Sequence, residues 1–181
     1  MKITMDKKNR IIVYTDGSSK SNGKKCATGG IGIFFPLNDK NNISLDTRIA
    51  LSQVFPAYKL PKITNNVSEL TAILFAIKIL ENNLINKDTI IIKTDSQYSI
   101  NSLTVWYSSW IRNKWVNSLG KPVLNKEIIQ ETLKYILKYN SQIIFQKVKA
   151  HQKEPSISSL QYKDWYGNNM ADYLATNYNK K

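Results

Sequence analysis

The chain has 181 residues, 42% of them hydrophobic, which is enough for one sizeable core and too short for two ordinary domains. Lys and Arg number 26 against 13 Asp and Glu; the formal charge of +13 favours nucleic acid as the partner, with the lysine enrichment of an AT-biased genome as the alternative source of the charge. The single cysteine, Cys26, excludes an intramolecular disulfide, and no apolar run is long enough for a signal peptide or a membrane span, which favours the cytosol or the nucleus.

Three strands are predicted in the first third of the chain. Residues 11–16 are β-branched and aromatic, and they end in Asp16 directly before Gly17. Residues 29–35 predict a second strand, and the alternating segment 43–52 predicts a third with one face in water. We expect these strands to form an antiparallel meander.

The middle of the chain predicts a helix followed by a buried strand. Residues 66–82 carry apolar side chains at spacings of three and four, as an amphipathic helix does. Residues 89–95 follow as a strand that is Ile-rich and therefore central, and this strand also ends in an acid, Asp95. Strand, helix and strand together indicate a right-handed crossover.

The last part of the chain predicts three helices, one strand and one long loop. A short helix near 97–103 precedes an aromatic segment, and a longer helix covers about 125–139. Residues 142–148 predict the last strand. Residues 152–166 show no periodic pattern of apolar side chains and predict an exposed loop. Residues from about 168 to 178 predict a final short helix.

This order of elements predicts an α/β fold with a mixed five-stranded sheet, in which an antiparallel meander joins parallel strands, flanked by helices. We expect one domain over residues 10–178, with short tails at 1–9 and 179–181. A monomer is expected, and no membrane partner.

Three acidic residues occupy positions where a solvated acid is unusual. Glu69 shares its predicted helix face with Ala72 and Ile73, and that face should pack on the sheet. Burying a lone carboxylate costs several kcal/mol, so Glu69 needs a cation nearby. Asp16 and Asp95 would lie beside Glu69 if their strands are neighbours in the sheet. Considered singly, either aspartate could instead cap a helix or stabilise a turn.

Converging carboxylates repel one another unless divalent ions neutralise them, and oxygen ligands select Mg²⁺ or Mn²⁺. A two-metal nuclease has this donor set: one ion activates the attacking water, and the other stabilises charge on the leaving 3′ oxygen. His151, the single histidine, follows the last predicted strand. A surface histidine is the ordinary interpretation, and a proton shuttle or an aid to product release is the alternative.

Five short motifs follow one another along the chain. They are Tyr14-Thr15-Asp16-Gly17-Ser18, Ser21-Asn22-Gly23 with Gly30-Ile31-Gly32, Thr64-Asn65-Asn66 with Glu69-Leu70, Thr94-Asp95-Ser96, and Gly167-Asn168 with Ala171-Asp172. In this order they resemble type 1 ribonuclease H, particularly its eukaryotic form, from about Arg10 to Tyr178. A single short motif is weak evidence, but five motifs in the correct order and in the correct type of element are specific evidence for the family. The resemblance implies a ribonuclease H-like fold, without the upstream hybrid-binding domain of many eukaryotic relatives.

The resemblance also implies an activity, which is hydrolysis of the RNA strand of RNA–DNA hybrids to leave a 5′ phosphate and a 3′ hydroxyl. Two Mg²⁺ ions, for which Mn²⁺ can substitute, would be held by four acids. Asp16 would bridge both ions, Asp172 would bind the water-activating ion, and Glu69 and Asp95 the other. Glu69 would also approach a ribose 2′ hydroxyl, which DNA lacks. Further contacts to that strand are implied around four residues: Ser18, Asn22, Asn66 and Gln97.

The DNA strand is expected on the aromatic segment. Trp106 and Trp110 are four apart and share a helix face suited to deoxyribose, with Ser118 beside them, while Trp115 is expected in the core. The resemblance implies a phosphate pocket of Lys62, Thr64 and Asn125, in which lysine replaces the arginine common in the family and loses its bidentate fork. Additional substrate contacts are expected from Asn65, Lys114, Lys121 and Asn168.

The departure from the family pattern follows His151. His151 and Asp172 are 172 − 151 = 21 positions apart, against about ten in most relatives, so the insertion puts the role of His151 in more doubt than the ligands.

Three alternatives use the same fold. They are a DNA-directed nuclease such as a junction resolvase or an integrase-like enzyme, a non-catalytic hybrid-binding module, and a ribonuclease H domain of a reverse transcriptase. Asn22, Asn66 and the tryptophan pair argue against the first, and the four acids argue against the second.

Overall fold

The computed structural model describes residues 4–6, 9–37, 39–56, 58–59 and 62–179. Its centre is a five-stranded sheet of order β3-β2-β1-β4-β5. The strands are β1 Arg10–Lys20, β2 Thr28–Phe34, β3 Ile43–Asp46, β4 Thr89–Thr94 and β5 Ile143–Lys147. Strands β1, β2 and β3 pair antiparallel, whereas β4 pairs parallel with both β1 and β5. The predicted mixed sheet is therefore confirmed.

Seven α-helices surround the sheet in the described part of the chain. They are α1 Thr47–Val54, α2 Asn65–Ile79, α3 Glu81–Ile85, α4 Gln97–Asn101, α5 Tyr107–Arg112, α6 Lys126–Lys138 and α7 Tyr162–Thr176. A π-helical turn, Ser102–Trp106, joins α4 to α5 into one helical segment, longer than the predicted 97–103. Within the described ranges, no helix combines the length and apolarity that crossing a lipid bilayer requires.

The two faces of the sheet bury different side chains because neighbouring residues of a strand point to opposite sides. Ile11 and Val13 of β1 belong to the large core beneath α2 and α6. Ile12 and Tyr14 belong to a smaller cluster, which α7 covers by packing on β1 and β2. Helices α2 and α7 therefore approach β1 from opposite faces.

The predicted third strand, 43–52, is wrong beyond Asp46. The Asp46 side chain accepts hydrogen bonds from the backbone N–H groups of Arg48 and Ile49, so it caps the start of α1. The apolar residues after it follow helical spacing, and Ala50, Leu51 and Val54 are buried. An acid that starts a helix was mistaken for a polar residue on a strand.

The predicted loop 152–166 and the start of the last helix are also wrong. The α7 helix begins at Tyr162 rather than near residue 168, so the loop covers 152–161. Aromatic contacts stabilise the added turns: the rings of Tyr162 and Trp165 lie 5.6 Å apart and those of Phe34 and Tyr166 5.7 Å. The contact of Tyr166 with Phe34 of β2 is tertiary, so no local period indicated it.

Candidate active site

Asp16 lies on β1 where that strand passes against α2. It is 7% exposed, and the Gly17 N–H donates to its Oδ1 at 2.8 Å. A Cβ atom at Gly17 would overlap with the backbone of Ser68 and Glu69. Only glycine therefore permits this approach of strand and helix, which brings Asp16 next to Glu69.

Glu69 lies in the second turn of α2. The helix starts after Thr64, whose Oγ1 accepts from the Val67 N–H at 3.2 Å. The predicted inner face is buried as expected: Ala72, Ile73, Ala76, Ile77 and Leu80. The Oε2 atom of Glu69 is buried and has no hydrogen-bond partner among the described residues. A buried carboxylate oxygen without a partner is costly, which indicates a binding position for a cation.

Asp95 directly follows β4, the parallel neighbour of β1. Its Oδ2 accepts a hydrogen bond from Asn168 Nδ2 at 3.1 Å, and its backbone carbonyl accepts one from Lys147 Nζ. Lys147 reaches it because Thr94 and Lys147 are paired in the β4–β5 register. Asp95 is thus held by α7 on one side and by β5 on the other.

The carboxylates of Asp16, Glu69 and Asp95 converge, with one oxygen from each within 4.8 Å of the others. Burial, together with the negative charges of Asp95 and Asp172, raises the pKa of Asp16 to about 7. Burial and the charges of Asp16 and Asp95 raise the pKa of Glu69 well above its usual value, opposed by Ser96 and Lys147. Ionising all three without a cation is therefore unfavourable at neutral pH.

Asp172 lies on α7, one turn after Asn168, and outside that 4.8 Å group. Its negative charge contributes to the raised pKa of Asp16, which places its carboxyl group near that of Asp16. The α7 helix comes close to the sheet because β2 carries Gly32, where a Cβ atom would overlap with the Ala171 carbonyl. Three of the four predicted acids therefore form one cluster, and the fourth borders it beside Asp16.

The donors in this cluster suit a hard divalent cation. All of them are carboxylate oxygens, the ligand type preferred by Mg²⁺ and Mn²⁺. The partnerless Oε2 of Glu69 and the raised pKa of Asp16 both reflect negative charge that a divalent ion would neutralise. The residues present thus fit a divalent-metal centre.

The sequence model of the RNase H family matches residues 8–180. The chain belongs to the ribonuclease H family. Ribonucleases H depend on divalent metal ions, and the acidic cluster of this member fits that requirement.

Relatives of known name agree with this ribonuclease H assignment. The chain is 37% identical over 161 residues to a probable ribonuclease H of Acanthamoeba polyphaga mimivirus, and 36% identical over 167 residues to ribonuclease H of Schizosaccharomyces pombe. The alignments cover 88% and 92% of this chain but 62% and 52% of those relatives, so the chain spans less than two thirds of their length. Among solved structures, it resembles the PFV RNase H domain with a TM-score of 0.65 and 25% identity over 93% of each chain.

His151 lies outside the acidic cluster. It is exposed, with a left-handed backbone φ of 47°, at the start of the 152–161 loop. Its side chain forms no hydrogen bond or ion pair with any residue that the structure describes. The proton-shuttle role stays a prediction.

Several residues predicted to contact the ribose gather where the β1–β2 loop meets the start of α2. Asn22 Oδ1 accepts from the Asn65 backbone N–H at 3.0 Å and from Ser19 Oγ at 3.1 Å. Asn66 is exposed in the first turn of the same helix. Asn22 and Asn66 thus lie at the start of the helix that carries Glu69.

Two other predicted contacts already have partners within the chain. Ser18 Oγ donates to the Ala175 carbonyl at 2.6 Å and so holds α7 against β1. Gln97 is exposed, and its amide donates to Asn101 Oδ1 at 2.8 Å. Ser18 therefore also has a structural role that the sequence did not indicate.

The residues of the predicted phosphate pocket are spread over three elements. Lys62 is exposed, Thr64 caps α2, and Asn125 precedes α6 with a left-handed φ of 58°. Asn125 Nδ2 donates to Tyr98 Oη at 3.1 Å. This bond fixes the Asn125 side chain against α4.

The tryptophans line an open groove. A cavity of about 450 Å³ is bordered by Trp106, Trp110 and Ser118, and the centroids of the two indole rings lie 5.7 Å apart. Trp115 packs against the core, as predicted. Lys114 and Lys121 are exposed in the segment that follows α5.

Sequence reasoning missed a polar contact between α7 and the sheet. Tyr14 Oη donates to Asp164 Oδ1 at 2.7 Å, and Lys93 Nζ pairs with the same oxygen at 2.5 Å. Burial, and then Asp164, raises the pKa of Tyr14. The spacing in the sequence could have indicated this contact. Asp164 comes four residues before Asn168 and eight before Asp172, so the three side chains share one helix face.

Proposed function

We propose that this chain is an endonuclease that hydrolyses the RNA strand of RNA–DNA hybrids and leaves a 5′ phosphate and a 3′ hydroxyl. The observation that carries this proposal is the cluster of Asp16, Glu69 and Asp95 within 4.8 Å, in a chain of the ribonuclease H family. Its relatives bear the names ribonuclease H and probable ribonuclease H.

The acids of this cluster, together with Asp172, would hold two Mg²⁺ ions, for which Mn²⁺ can substitute. When bound, the ions supply an activated water molecule and stabilise charge on the leaving oxygen. Asp16 would be the residue common to both ions, since its carboxylate lies within 4.8 Å of those of Glu69 and Asp95 and its pKa is also raised by the charge of Asp172. Asn168 keeps the Asp95 carboxylate oriented through its hydrogen bond.

The chain itself would select RNA as the strand that is cut. Glu69 accepts a hydrogen bond from the ribose 2′ hydroxyl, and the polar surface of Asn22 and Asn66 lies beside the helix that carries Glu69. A deoxyribose lacks that hydroxyl and leaves these acceptors unpaired. Gln97 and Ser18 are proposed to support the same contact through their backbone groups.

The complementary DNA strand would pass over Trp106 and Trp110. Their rings form an apolar surface in the 450 Å³ groove, and Ser118 adds a polar group at its border. Flat rings pack closely on deoxyribose, whereas a 2′ hydroxyl would be desolvated there. Lys62, Thr64 and Asn125 are proposed to bind one phosphate of this strand, and Asn65, Lys114 and Lys121 to add backbone contacts.

The test is cleavage of four end-labelled duplexes of the same sequence: an RNA–DNA hybrid labelled on either strand, duplex RNA and duplex DNA. With Mg²⁺ we expect cuts in the RNA of the hybrid only, and none after chelation with EDTA. Asp95→Asn is the matched inactive control. Cleavage of duplex DNA at a comparable rate would instead support a resolvase-like nuclease.

We also propose that the protein is a monomer and that it acts in the cytosol or nucleus. Size-exclusion chromatography with light scattering measures its oligomeric state.

A further inference from the structure

A pocket outside the acidic cluster lies between the end of β5 and the first turn of α7. Its volume is about 240 Å³, and its lining includes Lys147, Lys149, Lys153 and Trp165. A water molecule occupies about 30 Å³ of liquid. The pocket therefore admits a group as large as a sugar–phosphate unit.

The pocket has a net positive charge. Lys149 and Lys153 are exposed and form no ion pair with any residue in the described ranges. Asp164, the one acid among the described residues that line the pocket, is already neutralised, since it pairs with Lys93 at 2.5 Å and accepts a hydrogen bond from Tyr14. The two free lysines thus favour an anion.

The wall of the pocket is fixed in place by hydrogen bonds. Trp165 Nε1 donates to the Gln152 carbonyl at 3.0 Å, and Gln152 Nε2 donates to the Ala150 carbonyl at 3.0 Å. These bonds tie the 152–161 loop to α7. Lys153 and Trp165 lie between His151 and Asp172, so the pocket is built in part by the segment whose length departs from the family pattern, whereas Lys147 and Lys149 precede that segment.

The pocket adjoins the acidic cluster through two residues. Lys147, which lines it, donates to the Asp95 carbonyl. Asp164, which also lines it, stands one turn of α7 before Asn168, and Asn168 contacts the Asp95 carboxylate. The pocket thus lies beside the acids on the side of β5 and α7, whereas the tryptophan groove is built by α5 and its neighbours.

We propose that this pocket binds a backbone phosphate of the RNA strand beyond the position of cleavage, through Lys149 and Lys153. The inference rests on the proposed function, because the strand that passes the acids is the strand that is cut. Phosphate contacts are independent of sequence and weaken with salt, since each releases counterions. The inserted loop thereby lengthens the contact with RNA.

The test compares Lys149→Gln/Lys153→Gln with the charge-matched control Lys87→Gln/Lys138→Gln. Lys87 and Lys138 are both exposed. Lys87 lies just before the start of β4, at the opposite end of that strand from Asp95. Binding is measured by fluorescence anisotropy in EDTA, so that nothing is cut. The substrates are a short blunt hybrid and the same hybrid extended by single-stranded RNA or by single-stranded DNA at either end.

We expect an RNA extension at one end to tighten binding by the wild-type chain. The pocket variant should lose this gain, with roughly tenfold weaker binding to the extended hybrid and a salt slope lower by about 1, as expected for the loss of one phosphate contact. The control variant should keep the gain. An equal gain in the pocket variant, or a gain from DNA extensions alone, overturns the inference. Cleavage of the blunt hybrid with Mg²⁺ tests the proposed function separately, because that substrate lacks the extension.

Discussion

Asn168 is 4% exposed and donates a hydrogen bond from Nδ2 to Oδ2 of Asp95 at 3.1 Å, which links α7 to the end of β4. Its Oδ1 is buried without a partner among the described residues. The Nδ2 end of this amide thus orients a carboxylate, whereas the Oδ1 end lies buried beside it.

Asn168→Ala should lower kcat by about 10- to 100-fold, the usual loss when a partner that orients a metal ligand is removed. Mg²⁺ affinity, measured by isothermal titration calorimetry, should fall in the same variant because Asp95 loses its fixed orientation. Thr176→Ala, at the exposed end of α7, is the control for a change in the same helix. Full activity of Asn168→Ala with unchanged Mg²⁺ affinity contradicts the positioning role.

Asp16→Asn should stabilise the metal-free protein at high pH. The pKa of Asp16 is raised from 3.8 to about 7, so between these values the folded state binds the proton more tightly than the unfolded state. The free energy of unfolding therefore falls as pH rises through this window. In EDTA at pH 8 the variant should be more stable by roughly 1–4 kcal/mol, with no difference near pH 4.

Thermal unfolding at several pH values, with EDTA and with Mg²⁺, measures this effect. Mg²⁺ should remove the advantage of Asp16→Asn, since only the wild-type site gains from the ion. Glu154→Gln removes an exposed acid outside the cluster and is the control. Equal stability of wild type and Asp16→Asn at pH 8 in EDTA would show that the carboxylate cluster does not strain the fold.

Trp110→Ala should weaken substrate binding more than turnover. Loss of about 60 Å² of apolar contact corresponds to roughly 1.5 kcal/mol, or about tenfold in KM, with little change in kcat. Trp110 also packs against the core, so Trp106→Ala, which alters a more exposed ring, is the companion variant with less cost in stability. Trp115→Ala should mainly lower the melting temperature. Steady-state kinetics that show a loss in kcat alone for Trp106→Ala would exclude the groove as a binding surface.

Asp164→Asn should destabilise the fold by about 1–3 kcal/mol, because it leaves the Lys93 ammonium, whose side chain is 14% exposed, without its anion. Lys138→Gln removes an exposed ion pair with Glu81 and should leave the urea midpoint nearly unchanged. Urea unfolding compares the two. Equal effects would mean that the contact of Asp164 with the sheet contributes no more than a surface pair.

The parts of the fold that sequence could predict are those with a strong local period. The central strands and helix α2 have uninterrupted apolar patterns, so their existence and order followed from the sequence. The inward position of Glu69 followed from the same helical spacing. The start of α7 at Tyr162 did not, since the aromatic partner of Tyr166 lies on β2, far away in the chain.

The site shows the same division between local pattern and tertiary contact. Asp16 and Asp95 could be predicted as neighbours because they belong to the two strands of one predicted crossover. The predicted end of the first strand at Asp16 is wrong, since β1 continues to Lys20 by pairing with β2. The contact of Lys147 with Asp95 depends on the β4–β5 register, which no local pattern specifies. The close approach of α2 to β1 requires a residue without a Cβ atom at Gly17. The sequence alone does not show this requirement, because the backbone of Glu69 approaches Gly17 only in the folded protein.

A crystal soaked in Mn²⁺ tests the central claim most directly, because manganese gives an anomalous signal that locates each ion. We expect two peaks bound by carboxylate oxygens, with Asp16 contacting both, Glu69 and Asp95 at one, and Asp172 at the other. A difference map without manganese between these side chains, from a crystal that binds it elsewhere, would contradict the metal-dependent nuclease proposed for this chain.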